Sequence, residues 1–306
     1  MQSKKNWTLL ELLNTTTQYF TDKNIDNPRL NAEELLGKIL NLNRVQLYVA
    51  FERPLTDKEV SNFRELVKRR IQREPLQHIL GQTEFMGYPF IVNPHVLIPR
   101  PETEILVEEV LKLQDVSEFK NPTILDIGTG SGCIAISLAL EWKGSRLMAV
   151  DLSKAALETA YQNCQINNIS AQMEYNQNQD NDTLDRLTLL EHDILKPWPQ
   201  SITKQFDIIV SNPPYVTNDE MKNLQPEVRD YEPQNALTDS VDGLTFYRHI
   251  FDMIAEKHEL ECRYLFLEMS GSQPDKIIEL ARKHKFEKIE VIPDLNKIDR
   301  VLKIEV

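Results

Sequence analysis

"LDIGTGSGCIAISLAL", residues 125–140, carries three of the chain's nine glycines: Gly128, Gly130 and Gly132. An apolar, β-branched run ends at Ile127, and a helix-forming run starts at Cys133. Glycine tolerates positive φ and lets a ligand approach the backbone closely. The stretch therefore reads as strand, glycine turn, helix. A turn of this kind can serve helix–sheet packing alone, so its neighbours decide its meaning. A second apolar run, "RLMAVD", ends in Asp151, about twenty residues further on, where an acid can hold ribose hydroxyls. An open α/β sheet puts both features at its carboxyl edge, where such folds bind ligands.

The same alternation continues outward. "TILDIG", "RLMAVD", "LTLLEHD", "FDIIVSN", "YLFLEM" and "KIEVIPD" are short strand-like runs separated by helical segments. That pattern predicts an α/β fold with a mostly parallel sheet and helices on both faces. Residues 176–186, "NQNQDNDTLDR", interrupt it with a polar, low-complexity stretch that reads as a solvated insertion.

Upstream the chain reads as helical. "TLLELLNTTTQYF" and "NPRLNAEELLGKIL" place apolar residues at helical spacing, with Asn27 as a cap and Pro28 at the first helical position. Thr56 and Glu59 form a capping-box pattern before "KEVSNFRELVKRRIQRE", and Pro75 is expected to close that helix. Phe85–Val92 is aromatic and β-branched around Gly87 and predicts a short hairpin. Pro101 and two glutamates then open a further helix, where the dipole favours negative charge. The expected organisation is a helical domain over 1–82, a hairpin linker over 83–98, and an α/β domain over 99–306.

Composition narrows the function. The 306 residues are 41% hydrophobic and 27% charged, as in soluble globular chains, and no apolar run is long enough to suggest a membrane span. The N-terminal segment lacks the apolar core of a secretory signal. A formal net charge of −12 argues against broad nucleic-acid binding, which needs Lys and Arg to displace counterions. "VKRRIQR", residues 67–73, is the densest basic run and reads as a solvated helix face. Cys133, Cys164 and Cys262 lie far apart, which points to a reducing compartment. The six histidines lack metal-ligand spacing, so no metal is expected.

The glycine spacing is G-x-G-x-G, not the G-x-G-x-x-G of pyrophosphate-binding turns. "DIGTGSG" resembles motif I of class I S-adenosylmethionine-dependent methyltransferases. A packing turn and a nicotinamide site remain the alternatives. The resemblance implies S-adenosylmethionine as cofactor, held by Asp126, Ile127, Gly128, Thr129 and Gly130 at its methionine end. It also implies Asp151 at the ribose, and Asp193 and Ile194 at the adenine. His192 reads as a strand-end residue with no role.

"NPPYV", residues 212–216, follows the strand "FDIIVS". Consecutive prolines fix two φ angles and remove two donors, which makes a rigid loop. A planar NH₂ group is a poor nucleophile because its lone pair is delocalised. Two acceptors that hold both N–H bonds can aim the nitrogen at a methyl sulfonium. Asn212 Oδ1 and the Pro213 carbonyl are the candidates, with Asn212 also touching the cofactor. Pro214 shapes the substrate loop, and the Tyr215 ring can lie on the flat group. Adenine N6, guanine N2 and glutamine N5 would all suit such a clamp.

From about residue 75 onward the chain resembles the protein-(glutamine-N5) methyltransferases of peptide-chain release factors, the HemK/PrmC family. The matching stretches include "EPLQHILGQTEFMGYPF", "VLIPRPETEILVE", "FDIIVSNPPYV", "EVRDYEPQNAL", "DGLTFYRHI" and "DRVLKIEV". The resemblance implies that the substrate is the glutamine of the Gly-Gly-Gln loop of a class I release factor. It implies docking of that partner by the helical domain, and a place for the segment around Arg100–Glu104 near the cofactor and substrate, with Arg100 at the substrate. A DNA adenine-N6 methyltransferase is the alternative, with neither direct nucleic-acid binding nor membrane association expected on the first reading. Three turns depart from the family: "LTDSVDGL" lacks its Gly-Gly pair, "HELECRYLF" its Pro-Gly-Gly turn, and "EMS" stands for "EIG". With the insertion, these suggest a mitochondrial matrix protein, a bacterial cytoplasmic one being the alternative.

Overall fold

The computed structural model describes residues 6–115, 119–174 and 186–306. Nearly all of the polar insertion read at 176–186 lies outside them. The chain divides into two units: Met1–Gly81 with Gln225–Tyr231, and Gln82–Leu224 with Glu232–Val306.

The first unit is helical: α1 (Leu9–Asp22), α2 (Pro28–Leu40), α3 (Arg44–Val49), α4 (Asp57–Ile71) and α5 (Leu76–Leu80). Thr8, Asn43 and Thr56 each close a reciprocal capping box, which satisfies donors that a helix start leaves open. Asn27 occupies its cap position with φ 46° but makes no side-chain cap, so there Pro28 alone starts the helix. The fourth helix ends at Ile71, ahead of Pro75, which instead precedes α5. Leu9, Leu13, Phe20, Leu35, Leu36, Leu47 and Phe63 make the core. Glu33 is fully buried beside Arg29, Arg44 and Tyr48.

In the second unit β1 (Gln82–Phe85) and β2 (Tyr88–Ile91) form the expected hairpin, with Met86 and Gly87 both at positive φ in its turn. It is no free linker: Phe85 and Phe90 are buried in the same apolar cluster as one face of the main sheet. The rest runs α6 (Pro101–Leu111), β3 (Thr123–Ile127), α7 (Cys133–Glu141), β4 (Arg146–Asp151), α8 (Lys154–Ile166), β5 (Ala171–Glu174), β6 (Leu187–Glu191) and β7 (Ile208–Ser211). Then come α9 (Asn218–Met221), α10 (Pro226–Arg229, in the helical unit), α11 (Gln234–Leu237), α12 (Thr245–Phe251), β8 (Tyr264–Glu268), α13 (Pro274–Lys283), β9 (Lys288–Pro293) and β10 (Asp299–Glu305).

The sheet has eight strands in the order β5-β6-β4-β3-β7-β8-β10-β9. All pairings are parallel except those of β10, which runs antiparallel to both neighbours. One face is covered by a cluster containing α7 and the apolar residues of α6 and α8. The other carries Tyr247, Ile250 and Phe251 of α12 and Ile277 and Ala281 of α13. This is the doubly covered, mostly parallel sheet expected, and its order reverses between β3 and β7. Such a switch point opens a crevice at the carboxyl ends of the strands.

Candidate active site

A cavity of about 310 Å³ occupies that crevice. Each parallel strand around it delivers one piece of wall: Ile127, Gly128 and Gly130 beyond β3, Asp151 to Ser153 at β4, His192 to Leu195 after β6, and Ser211 to Pro214 at β7. His95, Val96 and Leu97 close one side, and Asn235, Thr238, Asp239 and Phe246 another.

The glycine turn is shaped by its backbone. Gly128 and Gly130 have φ of 75° and 56°, and a Cβ added to either would meet nothing within 4 Å, on the side that lines the cavity. Gly132 differs: its Cβ would lie 2.9 Å from Ile136 Cδ1 and 3.1 Å from Ala160 Cβ. So two glycines leave room for a ligand and the third lets α7 and α8 pack. The turn is pinned to β4 by the N–H groups of Gly128 and Thr129, which donate to the Val150 carbonyl.

Asp151 lines the cavity. Its Oδ2 accepts the Gly130 N–H and its Oδ1 the Ser153 N–H, both at 2.8 Å. Burial raises its pKa, and those N–H groups oppose the rise. The remaining lone pairs of the two oxygens suit a diol. Asp193 and the buried Ile194 line the next wall; Asp193 Oδ1 accepts the Leu195 N–H at 3.1 Å. His192 also lines the cavity. Its Nε2 is buried without a hydrogen-bond partner, and burial lowers its pKa.

Asp126 falls elsewhere. It is fully buried beneath the turn, where Thr129 Oγ1 donates to Oδ2 at 2.7 Å and Oδ1 has no partner. Burial pushes its pKa up to about 7. Neither Asp126 nor Thr129 lines the cavity. Both support the turn from below.

Asn212, Pro213 and Pro214 line the cavity as a group. Asn212 Nδ2 donates to Thr103 Oγ1 at 3.2 Å. Among the described residues no hydrogen bond reaches Asn212 Oδ1 or the Pro213 carbonyl. Ser211 Oγ donates to the Ile127 carbonyl at 2.7 Å and ties the clamp loop to the glycine turn. Tyr215, expected to lay its ring on the substrate, does not line the cavity. Its ring packs on the apolar cluster beneath and its hydroxyl donates to Glu268 Oε1 at 3.3 Å. Arg100 is likewise engaged: Nη2 donates to the buried Glu232 at 2.6 Å. Both residues thus make contacts within the protein itself.

Sequence reasoning missed His95–Leu97, Asp239, Phe246 and Thr103. Asp239 had a visible signal, since it sits in the departed turn "LTDSVDGL". Its carboxylate accepts the N–H groups of Val241, Gly243 and Thr245, while Ser240 takes a φ of 60°. Those bonds shape the turn that the family builds on two glycines. Among the described residues one side-chain group has metal-ligand chemistry, Asp252, Glu256 and His284, and it lies apart from the cavity lining.

The open ground before Gly128 and Gly130, the diol-matched acid at the end of β4 and the acceptor loop at the end of β7 fit one group. They define a class I S-adenosylmethionine-dependent methyltransferase. The release factor glutamine methyltransferase of Chlorobaculum tepidum is 40% identical over 306 residues, covering 99% of this chain and 98% of its own. That of Geobacter sulfurreducens is 38% identical over 296 residues, with coverage of 97% and 96%. The chain belongs to the release factor glutamine methyltransferase family.

Two family models match parts of the chain. One described as the PrmC N-terminal domain matches residues 11–81, and one described as ribosomal protein L11 methyltransferase (PrmA) matches residues 106–229. The hMettl16 catalytic domain, solved in complex with the MAT2A 3'UTR hairpin 6, aligns with a TM-score of 0.51 at 16% identity. That alignment covers 83% of this chain and 84% of the other, and it is a likeness of fold alone. Both relatives above are bacterial, and neither favours the mitochondrial matrix over a bacterial cytoplasm. Among the described residues no helix is long and apolar enough to cross a membrane.

Proposed function

We propose that this enzyme methylates N5 of the glutamine in the Gly-Gly-Gln loop of a class I peptide-chain release factor, in a bacterial cytoplasm. The observation that carries the reading is the clamp loop. Asn212 Oδ1 and the Pro213 carbonyl stand unoccupied at the cavity, while Asn212 Nδ2 is held by Thr103. A primary carboxamide offers two N–H donors, and two fixed acceptors match them. Gripping both turns the nitrogen lone pair out of conjugation and toward the cavity. S-adenosylmethionine, when bound, supplies the electrophilic methyl sulfonium.

Gly128 and Gly130 would take the methionine end, Asp151 the ribose hydroxyls, and Asp193 with Ile194 the adenine. Asn212 and Pro213 would aim the amide nitrogen at the methyl group the cofactor supplies, with S-adenosylhomocysteine as the leaving product. The nitrogen becomes acidic and gives its proton to solvent, so no strong base is needed beforehand. Orientation and preorganised polarity carry the rate. Tyr215 contributes by bracing the loop, with its hydroxyl on Glu268 and its carbonyl against Gly243. Arg100 contributes by anchoring the return of the chain at Glu232. The helical unit is assigned the docking of the release factor.

Mass spectrometry of a release factor incubated with enzyme and S-adenosylmethionine is expected to show one added methyl on glutamine. Asn212→Ala should keep cofactor affinity in calorimetry and lose about a hundredfold or more in kcat, roughly 3 kcal/mol. Methyl transfer to DNA in place of the release factor would overturn the reading; the net charge of −12 argues for the protein substrate.

A further inference from the structure

Behind the clamp, a polar line runs from the cavity into the interior of the sheet. Asn212 Nδ2 donates to Thr103 Oγ1 at 3.2 Å. Thr103 sits in the first turn of α6 and is 2% exposed. Beyond it lies Glu268, the last residue of β8, also 2% exposed. Glu268 Oε1 receives the Tyr215 hydroxyl, its Oε2 has no hydrogen-bond partner, and its backbone carbonyl accepts the buried Tyr247 hydroxyl at 2.6 Å. Burial raises the Glu268 pKa, and the hydroxyls of Thr103 and Tyr215 are the first groups opposing that rise. Neither Thr103 nor Glu268 lines the cavity.

A polar side chain buried like Thr103 costs stability unless it is hydrogen-bonded. The logic of hydrogen-bond direction gives the Thr103 hydroxyl its purpose. A threonine hydroxyl has a single hydrogen. The Thr103 oxygen accepts from Asn212 Nδ2 in the structure, so the hydrogen it carries is turned away from the carboxamide. Only the NH₂ end of Asn212 can then face Thr103, so Oδ1 must face the cavity. Without that bias the hydroxyl is free to donate to Oδ1. The carboxamide could then turn over, since its two ends are nearly equal in shape. A turned amide would present donors to the donors of the substrate.

We propose that Thr103 is a positioning residue that holds the Asn212 carboxamide with its oxygen toward the methyl acceptor. The inference rests on the clamp reading of Asn212. It is tested by kinetics on the full chain with a release factor as substrate. Thr103→Val keeps the shape and removes the hydroxyl; kcat is expected to fall on the order of tenfold to a hundredfold. KM and calorimetric affinity for S-adenosylmethionine should stay within about twofold. Thr103→Ser restores the hydroxyl and is expected to restore kcat, which a packing role for the missing methyl would not allow. Thr103→Ala serves as the second loss variant if valine crowds the site.

The double variant decides the matter. If Thr103 acts through Asn212, then Asn212→Ala with Thr103→Val is no slower than Asn212→Ala alone. A Thr103→Val enzyme with wild-type kcat sinks this inference alone, as does a double variant that loses the product of the two single effects. An Asn212→Ala enzyme with wild-type kcat sinks the clamp, and this inference with it.

Discussion

Asp126 and Glu268 are carboxyls placed where water does not reach, at the ends of neighbouring parts of one sheet. Burial pushes both up to about 7, from ordinary values of 3.8 and 4.5. For Glu268, Arg300 on β10 opposes the rise and Glu102 on α6 adds to it. Between the ordinary and the raised value the folded protein holds a proton that the unfolded chain has released. Stability from these groups is therefore complete below about pH 4 and is lost as pH rises through about 7. Glu268→Gln removes one of the two titrations. Thermal melts from pH 4 to 8 should show a flatter decline for the variant than for wild type, with the gain in Tm greatest at pH 8. An unchanged slope would mean that the folded protein keeps Glu268 ionised.

The sequence brought Asp126 into view as the acid that opens the glycine motif. It could not say that the acid lies under the turn, facing Thr129, and not in the cavity. Thr103 stood in a quoted motif without a role, because its partner Asn212 is 109 residues away along the chain.

At the scale of elements, the glycine turn divides its labour, and two substitutions can separate the parts. Gly130→Ala puts a methyl into open ground before the cavity at φ 56°, a strain of about 1 kcal/mol that shifts Tm only a few degrees. Its main effect should be on the ligand, with S-adenosylmethionine affinity in calorimetry falling tenfold or more, on the order of 1.4 kcal/mol. Gly132→Ala drives a methyl toward Ile136 and Ala160 at 2.9 and 3.1 Å. It should lower Tm more than Gly130→Ala does while disturbing the affinity of the folded fraction less. The reverse ranking would mean the cavity side of the turn has been misassigned.

Strand–turn–helix was legible here because apolar period, glycine and helix onset coincide within sixteen residues, 125–140. Two strands were not. β5 is an edge strand of four residues, Ala171–Glu174, with little apolar signal. β10 lies inside the sheet, but only Val301, Leu302 and Ile304 are buried, and charged residues alternate among them. Its antiparallel entry between β8 and β9 is a matter of tertiary pairing that a local pattern does not encode.

At the scale of the molecule, the helical unit is completed by a segment from far along the chain. A boundary near residue 81 was legible as a change from helical to strand-like periodicity. The contribution of Gln225–Tyr231 was not, because its key bond joins residues 157 positions apart. Arg70 is buried, with its side chain 7% exposed; Nε donates to Asn31, and Nη1 to the Glu74 carbonyl and to Glu227 Oε1 at 3.0 Å. Thus the basic run 67–73, read as a solvated face, hides one of its charges. Arg73 reaches Glu227 at 3.3 Å, and the Tyr231 hydroxyl donates to the Gln72 carbonyl at 2.7 Å.

Burial works to raise the Glu227 pKa, but hydrogen bonds and the charge of Arg70, with help from Arg73, win and hold it below 4.5. The pair therefore stabilises the helical unit fully above about pH 4.5 and less as pH falls through the lowered value. Glu227→Gln leaves a buried guanidinium without its counter-charge, which should cost about 3 kcal/mol at pH 7. Arg70→Met should cost a similar amount by stranding the carboxylate. The two combined should cost clearly less than their sum, because neither charge is then left alone. Denaturant unfolding of the four proteins at pH 7 measures this coupling, and additive losses would remove the pair as the element that closes the unit. The same reasoning makes residues 1–81 by themselves an incomplete fold: without Glu227, the fragment keeps the buried arginine and lacks the carboxylate that stabilises it.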